Sequence, residues 1–143
     1  MSEKTRTPWL SVVLAGLLAF VLSLAVIAAT VTVYAMALAI KAQGPPDPNR
    51  IAAFANRYSP YLGGAVLSLL VIIAARWVVR RARRAQVFHG VLVGVVAALP
   101  TLILVRRPDL GNLMSLILPP LAGWLGALWA RKSLRRTIPA EAI

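Results

Sequence analysis

The stretch from Trp9 to Ile40 is 32 residues long and contains no charged side chain. A helix of about 20 apolar residues crosses a bilayer core of about 30 Å. At about 1.5 Å per residue this stretch is longer than the core is thick, so we expect its helix to tilt or to project. It is also longer than the apolar region of a signal sequence, which has about 7–15 residues. We therefore expect an uncleaved transmembrane helix here.

Three more apolar segments follow, and the four helices are predicted at residues 9–40, 60–79, 87–105 and 110–130. Lipid offers backbone groups no hydrogen-bond partner, so such segments must be helical. None alternates apolar and polar residues as the strands of a membrane barrel do. Hydrophobic residues make up 59% of the chain and charged ones 14%, against about 45–50% and about 25% in soluble domains. The sequence predicts an all-α polytopic membrane protein, with residues 1–143 forming one bundle of four transmembrane helices.

The connection at residues 45–59 is predicted as an extracytoplasmic loop. Asp47 and Pro48 resemble a helix N-cap followed by proline at the first helical position. Ile51, Phe54 and Tyr58 would share one face of a helix. This pattern is typical either of a short helix lying at the membrane interface or of a loop that caps the bundle.

Basic residues set the expected orientation. With both termini on one side, that side carries 11 of the 16 Lys and Arg residues. They are Lys4, Arg6, Arg76, Arg80, Arg81, Arg83, Arg84, Arg131, Lys132, Arg135 and Arg136. The positive-inside rule then places both termini and the basic tail, residues 131–143, in the cytoplasm. Trp9, Trp77 and Trp129 fall at the same interface, where amphipathic rings prefer to lie.

The strongly basic composition, with a net charge of +12, has two explanations. A patch that binds nucleic acid is one, but these charges flank apolar segments, and contact with anionic lipid headgroups explains them without nucleic acid. The residues predicted to contact anionic lipid or an acidic partner are Arg80, Arg81, Arg83, Arg84, Arg131 and Lys132. Their role in setting topology is the simpler interpretation.

Residues for catalysis are scarce in the predicted spans. The centres of the four segments contain no Asp, Glu, Lys, Arg or His, whereas enzymes and ion-coupled transporters need such groups at depth. The chain has no cysteine, so disulfides and thiolate metal sites are excluded. The only histidine, His89, lies at the start of the third segment, where we favour an interfacial anchor over a ligand. We expect no enzymatic activity and no cofactor.

Small residues form two stripes that favour close helix packing. The stripe in the third segment is Gly90, Gly94 and Ala98, and that in the fourth is Ala122, Gly126 and Ala130. Packing of the third helix on the fourth is the simpler interpretation, and docking of another protein is the alternative. Pro100, Pro119 and Pro120 are expected to kink their helices, which shapes a bundle or makes room for a ligand.

Several short motifs resemble those of small four-helix bacterial inner-membrane proteins of uncharacterised function. They are Gly63-Gly64, Ala74-Ala75-Arg76, the His-Gly-x-x-x-Gly pattern of residues 89–94, and the Leu-Ala-Gly-x-x-Gly pattern of residues 121–126. The resemblance covers most of residues 10–132. The prolines of the fourth segment and the insertion containing Phe54 depart from it. It implies a bacterial plasma membrane and no activity.

These patterns favour an accessory or assembly subunit of a larger membrane complex, with other membrane subunits and anionic lipid as its partners. Apolar helices, stripes for close packing and basic loops motivate this hypothesis. A small carrier or channel acting as an oligomer is the first alternative, with the proline kinks opening a path. A scaffold that binds pigment or lipid is the second.

Overall fold

The computed structural model describes residues 8–81, 87–104 and 110–135. These residues are helical except for the short connection at residues 43–47. In chain order the helices are α1 (Pro8–Ala42), α2 (Pro48–Arg81), α3 (Val87–Leu104) and α4 (Leu110–Arg135). The predicted all-α class is confirmed for these residues. The tail beyond residue 135 lies outside them.

Helix α1 ends in a hydrogen-bonded cap that turns the chain towards α2. The N–H of Gly44 donates to the carbonyl oxygen of Ala39 at 3.3 Å, and that of Gln43 donates to the carbonyl oxygen of Ile40 at 3.4 Å. Gln43 has φ 50°, the left-handed conformation that such a cap requires. Because the cap closes the helix only after Ala42, the apolar stretch forms one continuous helix of 35 residues.

Helix α2 begins at Pro48 and continues through Pro60 to Arg81. Asp47 caps it as expected, since the N–H of Asn49 donates to Oδ1 of Asp47 at 2.9 Å. Residues 48–59 are thus the first turns of α2, where the sequence predicted either a capping loop or a separate short helix. Proline weakens a helix at this point, but contacts with α1 hold the preceding turns in helical form.

Helix α2 is at the centre of the bundle and packs against the three other helices. Helix α3 also packs against α1 and α4, whereas α1 and α4 make no contact with each other within the described residues. The main core joins side chains of all four helices, among them Val12, Val71, Val93 and Ala122. Helices α1 and α4 therefore lie on opposite sides of the α2–α3 pair.

Three helices have apolar spans long enough to cross a membrane, Trp9–Ala42, Pro48–Arg80 and Leu113–Ser133. The apolar part of α3, Val87–Ile103, is shorter. At about 1.5 Å per residue, the 18 residues of α3 extend about 27 Å, close to the thickness of a bilayer core.

Helices α1 and α2 extend beyond the other two. Gly16 lies against Val93 and Val96, so α3, which ends at Leu104, reaches about as far as residue 26 of α1. Gly64 lies against Ser115, so the first residue of α4 is level with about residue 59 of α2. Residues 27–42 and 48–58 therefore form an antiparallel pair beyond the four-helix part, which we call the two-helix extension.

The two-helix extension is held together by aromatic contacts. The rings of Tyr34 and Phe54 stack with 3.9 Å between their centroids and 11° between their planes. The ring of Tyr58 lies 5.0 Å from that of Phe54. Offset aromatic pairs of this kind contribute about 0.5–1.5 kcal/mol beyond the burial of their area, so the extension has its own stabilising contact.

Candidate functional site

The small-residue stripe of α3 lies against α4. A Cβ atom added to Gly90 would come within 2.5 Å of the carbonyl oxygen of Gly123 and of the Cβ atom of Ala127. One added to Gly94 would collide with the carbonyl oxygen of Pro119. The two backbones therefore touch, and only glycine fits at these positions. Ala98 is buried one turn further along α3.

The predicted stripe of α4 faces a different helix. A Cβ atom added to Gly126 would come within 2.6 Å of the carbonyl oxygen of Ile72, which belongs to α2. Ala122 is buried in the main core, and Ala130 is buried in a second cluster with Val79 of α2. Contacts within the chain occupy both stripes, so another subunit would have to bind elsewhere.

The prolines lie inside continuous helices. Helix α3 runs through Pro100, and α4 runs through Pro119 and Pro120. Pro119 is fully buried, and its carbonyl group is the one that approaches Gly94. Pro119 and Pro120 thus belong to the contact between α3 and α4, where proline and glycine bring the two backbones together.

One end of the bundle collects cationic and aromatic side chains, and we call it the basic end. The guanidinium carbon of Arg76 lies 4.0 Å from the ring centroid of Trp129. Nη2 of Arg80 donates a hydrogen bond to Oγ of Ser133 at 3.2 Å. Trp9, Trp77 and Trp129 are each about half-exposed here, and their position at a membrane interface stays a prediction.

The other predicted basic contacts lie at or near the same end. Arg131 and Lys132 are exposed on the last turns of α4, and Arg81 is the last residue of α2. Arg83 and Arg84 lie outside the described residues. The single histidine is also here, with the ring of His89 centred 6.2 Å from that of Trp9. Its Nδ1 atom is buried and has no hydrogen-bond partner among the described residues.

An exposed apolar face runs along the second half of α1. Its members are separated alternately by three and four residues, the spacing of a coiled-coil seam. They are Val26, Ala29, Val33, Met36 and Ile40, which we call the distal seam. Val33, Met36 and Ile40 are 65%, 61% and 79% exposed, so no described part of the chain covers them.

A groove of about 340 Å³ separates α1 from α2 nearer the basic end. Leu14, Leu18 and Leu22 line it on α1, with Ile73 and Trp77 among its residues on α2. The groove is lined almost entirely by apolar side chains and opens on the outer surface of the bundle.

The sequence reasoning missed two features of this arrangement. The distal seam was readable from the alternating spacing of three and four residues within the stretch already identified as too long for a bilayer. The pairing of Arg76 with Trp129 had no signal along the chain, because the two residues are distant in sequence. Comparison with protein-family models, curated proteins and solved structures finds no match for this chain.

Proposed function

We propose that this chain is a non-enzymatic subunit of a larger membrane complex, spanning a bacterial plasma membrane four times with both termini in the cytoplasm. Three long apolar helices and an α3 of about 27 Å support four spans. The grouping of Arg76, Arg80, Arg131 and Lys132 at one end supports a cytoplasmic basic end.

The observation that carries the proposal is the exposed distal seam. The apolar residues from Trp9 to Ile40 extend about 48 Å as one helix. To lie entirely within a bilayer core of about 30 Å, the helix would have to tilt by about 50° from the bilayer normal. Membrane helices tilt by about 0–40°. Lipid therefore leaves the outer part of the seam uncovered, and a partner protein is the natural cover.

The seam fits a helix that continues past the bilayer. Its alternating spacing of three and four residues receives the side chains of a facing helix in coiled-coil fashion. The outer end of the chain carries Lys41, Arg50 and Arg57, with Asp47 as the one described carboxylate, paired to Arg50 at 3.7 Å. A partner helix with acidic residues near its outer end therefore complements this surface.

A second copy of the chain fits the seam less well. Copies with the same orientation in the membrane would bring Lys41, which directly follows the seam residue Ile40, towards Lys41 of the other copy. Like charges placed together across an interface disfavour pairing. We therefore assign the seam to a different protein.

Site-specific crosslinking in native membranes tests this assignment. A photoreactive residue at Met36 should join the chain to one protein of different sequence, through a segment that contains acidic residues. Leu99 of α3, also apolar and 50% exposed, is the matched control and should join only lipid. Mass spectrometry of the crosslinked peptides identifies the contact. Met36→Glu should then abolish co-purification of that partner in mild detergent, whereas Leu99→Met should not.

Two outcomes would contradict the proposal. Crosslinks from Met36 to a second copy would make the chain a homo-oligomer. Crosslinks from Met36 to lipid alone, together with recovery of the chain alone, would favour the small carrier or channel, and substrate flux into proteoliposomes would be the next measurement.

A further inference from the structure

Helices α2 and α4 run in parallel and bring their last turns together at the basic end. Arg76 and Arg80 are one turn apart on α2, and Trp129 and Ser133 are one turn apart on α4. Arg76 stacks on Trp129 at 4.0 Å, and Arg80 donates to Ser133 at 3.2 Å. These four residues form two successive levels of one surface, which we call the α2–α4 basic seam.

The guanidinium of Arg76 has no counter-ion within the described residues. Arg76 is half-buried, its guanidinium carbon lies 4.0 Å from the centre of the Trp129 ring, and its N–H groups make no hydrogen bond within the described residues. The one described carboxylate, Asp47, caps the opposite end of α2. The nitrogen atoms of Arg76 are not among the buried atoms that have no partner, so the guanidinium edge is accessible to an anion that accepts hydrogen bonds from it.

The chemistry of the surface favours a phosphate as the anion. Guanidinium binds phosphate through two parallel hydrogen bonds, and contact with the Trp129 ring restricts where the Arg76 side chain can lie. Arg80 and the exposed Lys132 add positive charge on the same turns. A net positive surface favours an anionic headgroup over a zwitterionic one, whose choline group it would repel.

The position of the surface favours lipid as the source of that phosphate. Tryptophan at the basic end marks the headgroup level. Leu125, one turn before Trp129, and Leu69, two turns before Arg76, are 53% and 63% exposed. A phospholipid with its headgroup at Arg76 would lay its acyl chains along these residues.

We propose that the α2–α4 basic seam is a binding site for an anionic phospholipid, with Arg76 as the principal phosphate ligand and Trp129 as the residue that orients it. Arg80 and Lys132 supply further positive charge. The site is independent of the distal seam, which lies at the other end of the molecule, so either assignment can fail without the other.

Native mass spectrometry of the full chain tests the site. The protein is reconstituted in vesicles of equal parts phosphatidylcholine and phosphatidylglycerol with matched acyl chains, and the lipid that stays bound on extraction is identified. We expect phosphatidylglycerol to be retained selectively. Arg76→Gln should weaken that retention about fivefold, the loss expected for one arginine near an anionic surface. Trp129→Leu, which keeps every charge, should also weaken it.

Arg131→Gln is the matched control, because Arg131 is exposed on the same end and its loss changes the charge equally. Because Arg131 is itself among the residues predicted to contact anionic lipid, its loss should weaken retention less than Arg76→Gln does. Arg76→Lys keeps the charge but lacks the planar guanidinium group. If the site depends on guanidinium geometry, this variant should retain an amount of phosphatidylglycerol between those retained by the unchanged chain and by Arg76→Gln. Circular dichroism and gel filtration confirm that each variant is folded.

Four results would overturn the proposal. Equal retention of the two lipids would remove the headgroup specificity. Equal losses in Arg76→Gln and Arg131→Gln would show a diffuse charge effect. Displacement of the lipid by inorganic phosphate at equal concentration would make the source a soluble anion. Unchanged lipid in Arg76→Gln, with loss of a co-purifying acidic protein, would make the surface a protein site.

Discussion

At the scale of single residues, the packing depends on glycines that have no room for a side chain. Gly94 lies against the backbone of Pro119 and Pro120, whereas Gly64 has ordinary space beside Ser115, because a Cβ atom added there would lie 3.5 Å from the Ser115 Cα atom. Both glycines sit inside helices, where alanine would be intrinsically favoured by about 1 kcal/mol. The difference between them is therefore due to their surroundings alone.

We predict that Gly94→Ala destabilises the fold and that Gly64→Ala does not. The new methyl group of Gly94→Ala must displace α4 backbone, which costs about 1–3 kcal/mol and outweighs the gain in helix propensity. Gly64→Ala should be neutral or stabilising by up to about 1 kcal/mol. Unfolding in mixed micelles with increasing denaturing detergent measures both. Equal midpoints for the two variants would contradict the close contact.

At the scale of helices, the sequence predicted which segments are helical better than it predicted which helices pack against each other. Long apolar segments predicted the helices, because lipid offers backbone groups no hydrogen-bond partner and a helix satisfies them within the segment. The neighbours of each face of α4 were harder to predict. Gly123 and Gly126 lie close together in the sequence, and no pattern along the chain indicates that Gly126 faces α2 while Gly123 faces α3. Only the three-dimensional arrangement assigns each stripe to its partner.

The continuity of α2 was missed for a related reason. Pro60 is a local signal against a helix, and it made residues 45–59 resemble a separate segment. The contact that overrides it, Tyr34 on Phe54, joins residues from two helices. A pattern read along one segment does not contain that information.

We predict that Tyr34→Ala loosens the two-helix extension alone. Removing the stacked ring costs about 0.5–1.5 kcal/mol beyond its buried area. Hydrogen exchange should therefore accelerate in residues 27–42 and 48–58 and stay unchanged in α3. Tyr61→Ala is the control, because Tyr61 is 58% exposed and makes no ring contact within the described residues. Uniform acceleration through all four helices would show that the extension is not a separate unit.

At the scale of the whole molecule, the arrangement predicts which groups are reachable from each side of the membrane. The connection between α1 and α2 lies at the end opposite Arg80 and Ser133. With the basic end in the cytoplasm, that connection faces outwards. The chain has no native cysteine, so a single introduced thiol reports its position without background.

We expect Gly44→Cys to react with a membrane-impermeant maleimide in intact cells. Gly44 is exposed, and an added Cβ atom would meet only the carbonyl oxygen of Ala42, at 3.8 Å. Ser133→Cys should react only after the membrane is permeabilised. Labelling is read as a mass shift on a gel. The reverse pattern would place the termini outside, and labelling of both sites in intact cells would contradict the four-span topology.

The central position of α2 also bears on how the protein is made. Helix α2 packs on α4, which leaves the ribosome after the other three helices, while α1 contacts α2 and α3 within the described residues. The face of α2 that receives Gly126 and Ala130 therefore stays uncovered by this chain until α4 has been made. The four-helix arrangement is thus completed when the fourth helix docks beside the second, and a chain truncated before residue 110 would leave that face of α2 without its partner.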